Sequence, residues 1–207
     1  MFKNAIAAFV FLFISSFTFA QTQKGSFALS GKTNLNSLFS NSTSYIDSIE
    51  TGKTKSRDFS FSAAAGYFVM DHLNAGIAVS YSYDYSKGNL TGYFISQSRT
   101  QSFSVMPQVN YFIPLEGKLK PVVGAGFGYM WLEQRDSRVN DNNNLVYSLD
   151  GIAMSGSVGV SYFVLPSVSF DLGVQFSHSD LKDHLYPSQK QKTNATGGNL
   201  GVTVFLK

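Results

Sequence analysis

The chain has 207 residues, a formal charge of +3, no cysteine, and only 14% charged against 15% aromatic residues. The missing cysteine excludes a disulfide framework, a thiolate metal site and a lipoprotein signal, and so slight a positive excess gives no ground for nucleic-acid binding. Charge below the roughly 25% of soluble domains, together with 18 Gly, 19 Phe and 11 Tyr, suits a sheet whose two faces do not both meet water.

Residues 1–20 read as an export signal. Lys3 supplies the positive start, residues 5–14 a short apolar run, and Thr18-Phe19-Ala20 the small residues a signal peptidase inspects. Cleavage before Gln21 leaves 207 − 20 = 187 residues, enough for one domain over 21–207. Later in the chain no apolar run is long enough for a membrane helix.

Eight alternating runs follow, at about 25–35, 57–68, 74–85, 99–112, 119–133, 145–163, 168–178 and 193–206. Three tight turns close hairpins: Met70-Asp71-His72-Leu73, Pro114-Leu115-Glu116-Gly117 and Leu165-Pro166-Ser167. Four connections, 36–56, 86–98, 134–144 and 179–192, are long and polar and read as loops. The alternation sorts faces. Ile77, Val79 and Tyr81 oppose Gly76, Ala78 and Ser80. Val123, Ala125 and Phe127 oppose Gly124, Gly126 and Gly128. Val174 and Phe176 oppose Gln175 and Ser177, and Leu206 opposes Phe205. The non-apolar face is Gly, Ser, Ala, Asn and Gln, which suits a narrow lumen better than bulk water. The apolar face suits lipid. These observations predict an all-β fold, an eight-stranded antiparallel up-and-down transmembrane β-barrel, the closed sheet that satisfies its backbone inside hydrocarbon. Pro107 falls within the fourth run, where a bulge is expected to absorb its missing N–H. Asp150-Gly151 is expected to mark where the long sixth run leaves the bilayer or bends.

Tyr67-Phe68, Tyr111-Phe112 and Tyr162-Phe163 each end a run just before a turn. Repeated doublets at one depth predict an aromatic girdle at the membrane interface, joined at the other end by Tyr81, Tyr83, Tyr129 and Trp131. Lys32, Gln108, Asn110, Asp171, Gln175 and Asn199 are the candidate polar residues of the lumen, where such groups neutralise one another and fill the interior.

The stretches Ala65-Gly66-Tyr67-Phe68-Val69-Met70-Asp71-His72-Leu73-Asn74-Ala75-Gly76 and Lys120-Pro121-Val122-Val123-Gly124-Ala125-Gly126-Phe127-Gly128-Tyr129 resemble hairpins of the outer-membrane β-barrel domain family, small porin-like proteins of the OmpX and OmpA-barrel type. The resemblance covers about residues 25–206. It implies a Gram-negative outer membrane, contact with outer-membrane lipid and lipopolysaccharide, delivery by the barrel-assembly machinery, no cofactor and no shared catalytic residues. Such chains usually end in an aromatic residue that the insertion machinery reads. Here Leu206 ends the apolar face, Phe205 lies on the other face and Lys207 comes last.

Functional classes were weighed on the same residues. The densest polar cluster is His178-Ser179-Asp180-Leu181-Lys182-Asp183-His184. Outer-membrane lipid A deacylases place a His and a Ser two residues apart on the barrel. Here the residue two after His178 is Asp180, so a nucleophile within reach of its base is lacking. His72 and Asp71 are accounted for by turn chemistry. The favoured reading is a non-enzymatic barrel that displays loops for envelope structure, adhesion or partner binding, with the extracellular ligand unspecified. A lipid A-modifying enzyme and a narrow pore are the alternatives.

Overall fold

The computed structural model describes residues 22–34, 39–46, 49–90, 94–138, 141–183 and 190–207. The export signal expected over 1–20 and His184 lie outside them. The described elements are strands: β1 (Phe27–Asn34), β2 (Phe39–Ile46), β3 (Ile49–Met70), β4 (Leu73–Leu90), β5 (Phe94–Phe112), β6 (Leu119–Arg138), β7 (Asp141–Leu165), β8 (Val168–Asp183) and β9 (Lys190–Leu206). Each pairs antiparallel with its neighbour, and β1 pairs with both β9 and β3, which closes the ring. The ring has eight strands. β2 takes no separate place in it, because it pairs with the early half of β3 while β1 pairs with the late half.

Pairing fixes the shear. From Thr33 the partners run through Phe61, Tyr81, Phe103, Trp131, Asp150 and Lys182 to Lys190. Thr33 itself pairs with Leu200 on β9, so one circuit is offset by 200 − 190 = 10 residues. Such a stagger goes with strands tilted about 35–45° and an interior just wide enough for side chains.

Alternation sets the two surfaces as the sequence predicts. Ile77, Phe127, Val158, Leu172 and Phe176 are about half exposed on the outside, whereas Ala78, Ala153, Asn199 and Thr203 are buried inside. Apolar side chains turned outward and small or polar ones turned inward are the reverse of a soluble barrel.

Two expectations are corrected. The stretches read as long loops are mostly paired strand. Gly52 to Arg57 pairs with Leu90 to Tyr85, Ser96 to Arg99 with Arg138 to Arg135, and Arg138 still faces Asp141. Above the lipid-facing band both faces of a hairpin are wet, so its sequence turns polar without ceasing to be a strand. Pro107 needs no bulge. Pairing of β5 with β6 lapses at Met106 and Pro107, then resumes in the same register, since 105 + 129 and 108 + 126 both give 234. At Asp150-Gly151 the β6–β7 pairing runs through without a shift. The only shift there falls between Asp136 and Arg138.

The core sits at the short-turn end. Phe68, Phe112, Phe163 and Phe205 point into the barrel with Ala28 and are nearly or wholly buried. This corrects the girdle assignment of Phe68, Phe112 and Phe163. Adjacent residues on a strand face opposite ways, so each doublet splits, with Tyr67, Tyr111 and Tyr162 outside and its Phe inside. Phe205 is the fourth member, and each Phe is pinned the same way. The amide of Phe68 donates to Ser26 O, of Phe112 to His72 O, of Phe163 to Lys118 O and of Phe205 to Ser167 O, at 2.7–2.8 Å. Ring centroids of Phe205 lie 6.1, 5.9 and 5.1 Å from Phe68, Phe112 and Phe163. The segment before β1 seals this end. His72 N donates to Thr22 O (2.6 Å), Thr22 Oγ1 meets His72 Nδ1 (2.9 Å), and Lys24 N donates to Asp71 Oδ1 (2.8 Å). His72 takes the left-handed conformation, φ 67°, at a turn where the β3–β4 register shifts between Phe68 and Met70, as in hairpins that end on a left-handed residue and a bulge.

Candidate functional site in the barrel interior

Above the phenylalanine layer lies a polar storey. Lys32, Gln108, Asn110, Asp171 and Asn199 line a cavity of about 60 Å³. Gln175 lines a second, of about 50 Å³, together with Lys32, Gln108, Asn110 and Asn199. The six candidate lumen residues therefore face one interior. Asp171 is buried and held by three hydroxyls: Ser161 Oγ donates at 2.6 Å, Ser169 Oγ at 2.9 Å and Thr203 Oγ1 at 2.5 Å. Such donors replace the water a buried carboxylate loses. Glycines make the room. A Cβ on Gly201 would come 2.6 Å from Lys32 Cγ, and one on Gly124 would come 2.3 Å from Asn110 Oδ1.

Higher still is a chamber of about 250 Å³ with two unlike walls. Serines of β3, β4 and β5 form one wall. Ser80 Oγ donates to Ser62 Oγ at 3.0 Å, and Ser82 and Ser102 share a bond of 2.7 Å. Met106, Met130, Leu132 and Ala153 form the other. Its upper rim is a further space bounded by Asn34, Asp58, Ser60, Ser82 and Asp84. Asp58 and Asp84 are direct cross-strand partners. Past Tyr83 the outward face of β4 carries Tyr85, which pairs with Arg57 and Arg99, so Asp84 lies where the lipid-facing band gives way to charged residues. Burial, then hydrogen bonding to Asp58, then the charge of Asp58 push Asp84 up to about 6, because two close carboxylates resist ionising together. Neither Asp58 nor the two-walled chamber was among the sequence candidates. Their signal is the pairing of β3 with β4, which composition does not carry.

On the outside, Tyr81, Tyr129 and Trp131 are exposed and Tyr83 is partly exposed. Trp131 stacks near Phe103 (5.8 Å) and Tyr129 (5.0 Å), and the Tyr129 hydroxyl donates to Asp150 Oδ2. In the polar cluster on β8, His178 faces outward and bonds Asn194 (2.7 Å), while Ser179 is buried inside. Asp180 pairs with Lys192 at 3.3 Å. His178 and Ser179 thus sit on opposite sides of the wall and form no nucleophile–base pair. Among the described residues no three His, Cys, Asp or Glu are grouped as metal ligands.

The fold is similar to that of several small barrels. Neisserial surface protein A shares 20% identity and covers 89% of this chain and 97% of its own, with a TM-score of 0.44. OprG from Pseudomonas aeruginosa shares 12% over 91% of this chain and 99% of its own, TM-score 0.49. Ail, the attachment invasion locus protein of Yersinia pestis, shares 12% over 89% and 100%, TM-score 0.47. No curated protein matches the chain. The model of the outer membrane protein beta-barrel domain matches residues 5–206, and with a closed eight-stranded ring turned apolar side out, the chain belongs to that family and to the bacterial outer membrane.

Proposed function

We propose that this protein is a non-enzymatic outer-membrane barrel that presents stiff, polar hairpins at the cell surface for adhesion or partner binding. The observation that carries the reading is the continued pairing of strands beyond the lipid-facing band, where 16 to 25 residues per strand from β3 to β9 exceed the roughly 9–11 needed to span. Hairpins that stay hydrogen-bonded pay little ordering entropy on meeting a partner. The export signal, if cleaved before Gln21, supplies the route out of the cytoplasm, and the barrel-assembly machinery completes insertion.

Six exposed cations, Arg57, Lys87, Arg99, Arg135, Lys182 and Lys192, project outward past the band. They suit the phosphates of lipopolysaccharide, while Tyr67, Tyr111 and Tyr162 at one end and Tyr81, Tyr83, Tyr129 and Trp131 at the other act as the interface girdle. The phenylalanine layer weighs against the pore reading, and the split of His178 from Ser179 weighs against the lipid A-modifying one.

The test is orientation followed by function. A membrane-impermeant amine label on intact cells is expected to reach Lys87, Lys182 and Lys192, and to reach Lys24, Lys118 and Lys207 only after permeabilisation. Shortening the β4–β5 and β6–β7 hairpins should then abolish adhesion without loss of heat-modifiable gel migration. Adhesion unchanged by both trims, or an altered lipid A profile on deletion of the gene, would overturn the reading.

A further inference from the structure

The chamber between the serine wall and the methionine wall is not explained by surface display, which needs a filled barrel rather than a hollow one. We propose that it binds a small organic ammonium ion with an apolar body. The chamber has the two surfaces that such a guest needs. Met106, Met130 and Leu132 offer an apolar wall in which the flexible thioethers adapt to shape. Asp58 and Asp84 stand at the rim, and Asp58 Oδ1 is buried with no hydrogen-bond partner. Among the described residues no Lys or Arg lines the chamber or its rim.

An ammonium seated at the rim would donate to both carboxylates and to the hydroxyl of Ser60 or Ser82. It would satisfy Asp58 Oδ1 and remove the repulsion between the two acids. A neutral guest would leave that repulsion in place. A divalent metal is a poorer match, because two carboxylates and hydroxyls supply too few strong oxygen ligands. At about 250 Å³ the space falls below the roughly 300–1,000 Å³ of pockets for drug-sized ligands, so the guest is of the size of an arylalkylamine rather than a lipid.

The methionines provide an internal control. Met106 and Met130 face the chamber, whereas Met70 lies away from it at the short-turn end, exposed to lipid or detergent. With methyl-labelled methionine and the full chain in zwitterionic micelles, 2-phenylethylammonium is the probe and 2-phenylethanol the neutral control. The expected result is saturable shifts at Met106 and Met130, with Met70 still, and affinity at least tenfold weaker for the alcohol. In the double variant Asp58→Asn, Asp84→Asn the two probes should bind within twofold of each other. Ala153→Leu, which fills the chamber from its buried apolar side, should abolish both. Equal affinities for amine and alcohol in the unaltered chain would overturn the proposal, as would a parallel shift at Met70 or none at Met106 and Met130 at 10 mM probe, taken as about the limit for weak binding. Should Ala153→Leu fail to fold, the aspartate variant still decides.

Discussion

Phe205 is the hub of the layer that closes the barrel, and truncating it tests whether that layer is a packed core or a lining. Its side chain is wholly buried and is the one ring within about 6 Å of all three others. Phe205→Ala should cost about 3–5 kcal/mol, the transfer energy plus a cavity that a closed ring of strands relaxes poorly around. The control is Phe127→Ala on the lipid side, 56% exposed, where only transfer is lost, about 1.5–3 kcal/mol. A gap of about 2 kcal/mol is a factor of about 30 in the folding equilibrium. Urea titration in lipid vesicles, read by the emission of Trp131, the single tryptophan, measures both variants. The reasoning fails if Phe205→Ala costs no more than Phe127→Ala. Electrical recording gives a second reading on the same layer. The unaltered barrel is expected to pass no discrete current in a planar bilayer, and Phe163→Ala with Phe205→Ala to pass one. Steps of conductance from the unaltered protein would remove the argument against a pore.

Other perturbations have defined outcomes. Asp171→Ala leaves the hydroxyls of Ser161, Ser169 and Thr203 without their acceptor. It should cost about 1–3 kcal/mol by the same urea titration, and Asp171→Asn less, since its amide oxygen still accepts. His72→Gly relieves a left-handed backbone but gives up the Thr22 contact, so stability should move by under about 0.5 kcal/mol, whereas His72→Val should lose about 1–2 kcal/mol. Asp84 holds its proton to about pH 6 in the barrel against a reference value of 3.8. Between those values the folded state binds more protons, so its stability should fall as pH rises from about 4 to 6 and level off above. Asp84→Asn should flatten that slope, and Asp58→Asn should bring the carbonyl NMR titration of Asp84 down toward the ordinary range.

Much of the barrel was legible because a membrane wall has one greasy and one narrow face, and a period of two records which is which. The faces of β4, β6, β8 and β9 follow from that alternation, including the inward Phe205 next to Leu206. The same rule, applied to Tyr67-Phe68, forbids both rings from sharing a surface. The girdle assignment of the three Phe failed by reading depth without reading face. Past the membrane the signal fades, since Ser86, Lys87, Gln97 and Ser98 meet water or a wet lumen on either side. Paired strand there has the composition of a loop. Closure, shear and the meeting of Asp58 with Asp84 depend on register across strands far apart in the sequence, and no local pattern encodes a register of ten.

The interior is thus stratified, and the strata follow from what each depth demands. At the short-turn end the hairpins must be joined across the barrel without water, and four rings pinned to neighbouring turns do that. In the middle the wall approaches so closely that only Gly and short polar chains fit, and Asp171 can be buried because three hydroxyls already point at it. Toward the far end serines and methionines line a wider space. A barrel needed solely as an anchor gains nothing from that hollow, since filling it with Leu or Phe would add burial at about 25 cal/mol per Å². Retaining a hydroxyl wall, an apolar wall and two facing acids at that depth forgoes stability. This is the pattern that binding sites impose on otherwise well-packed folds.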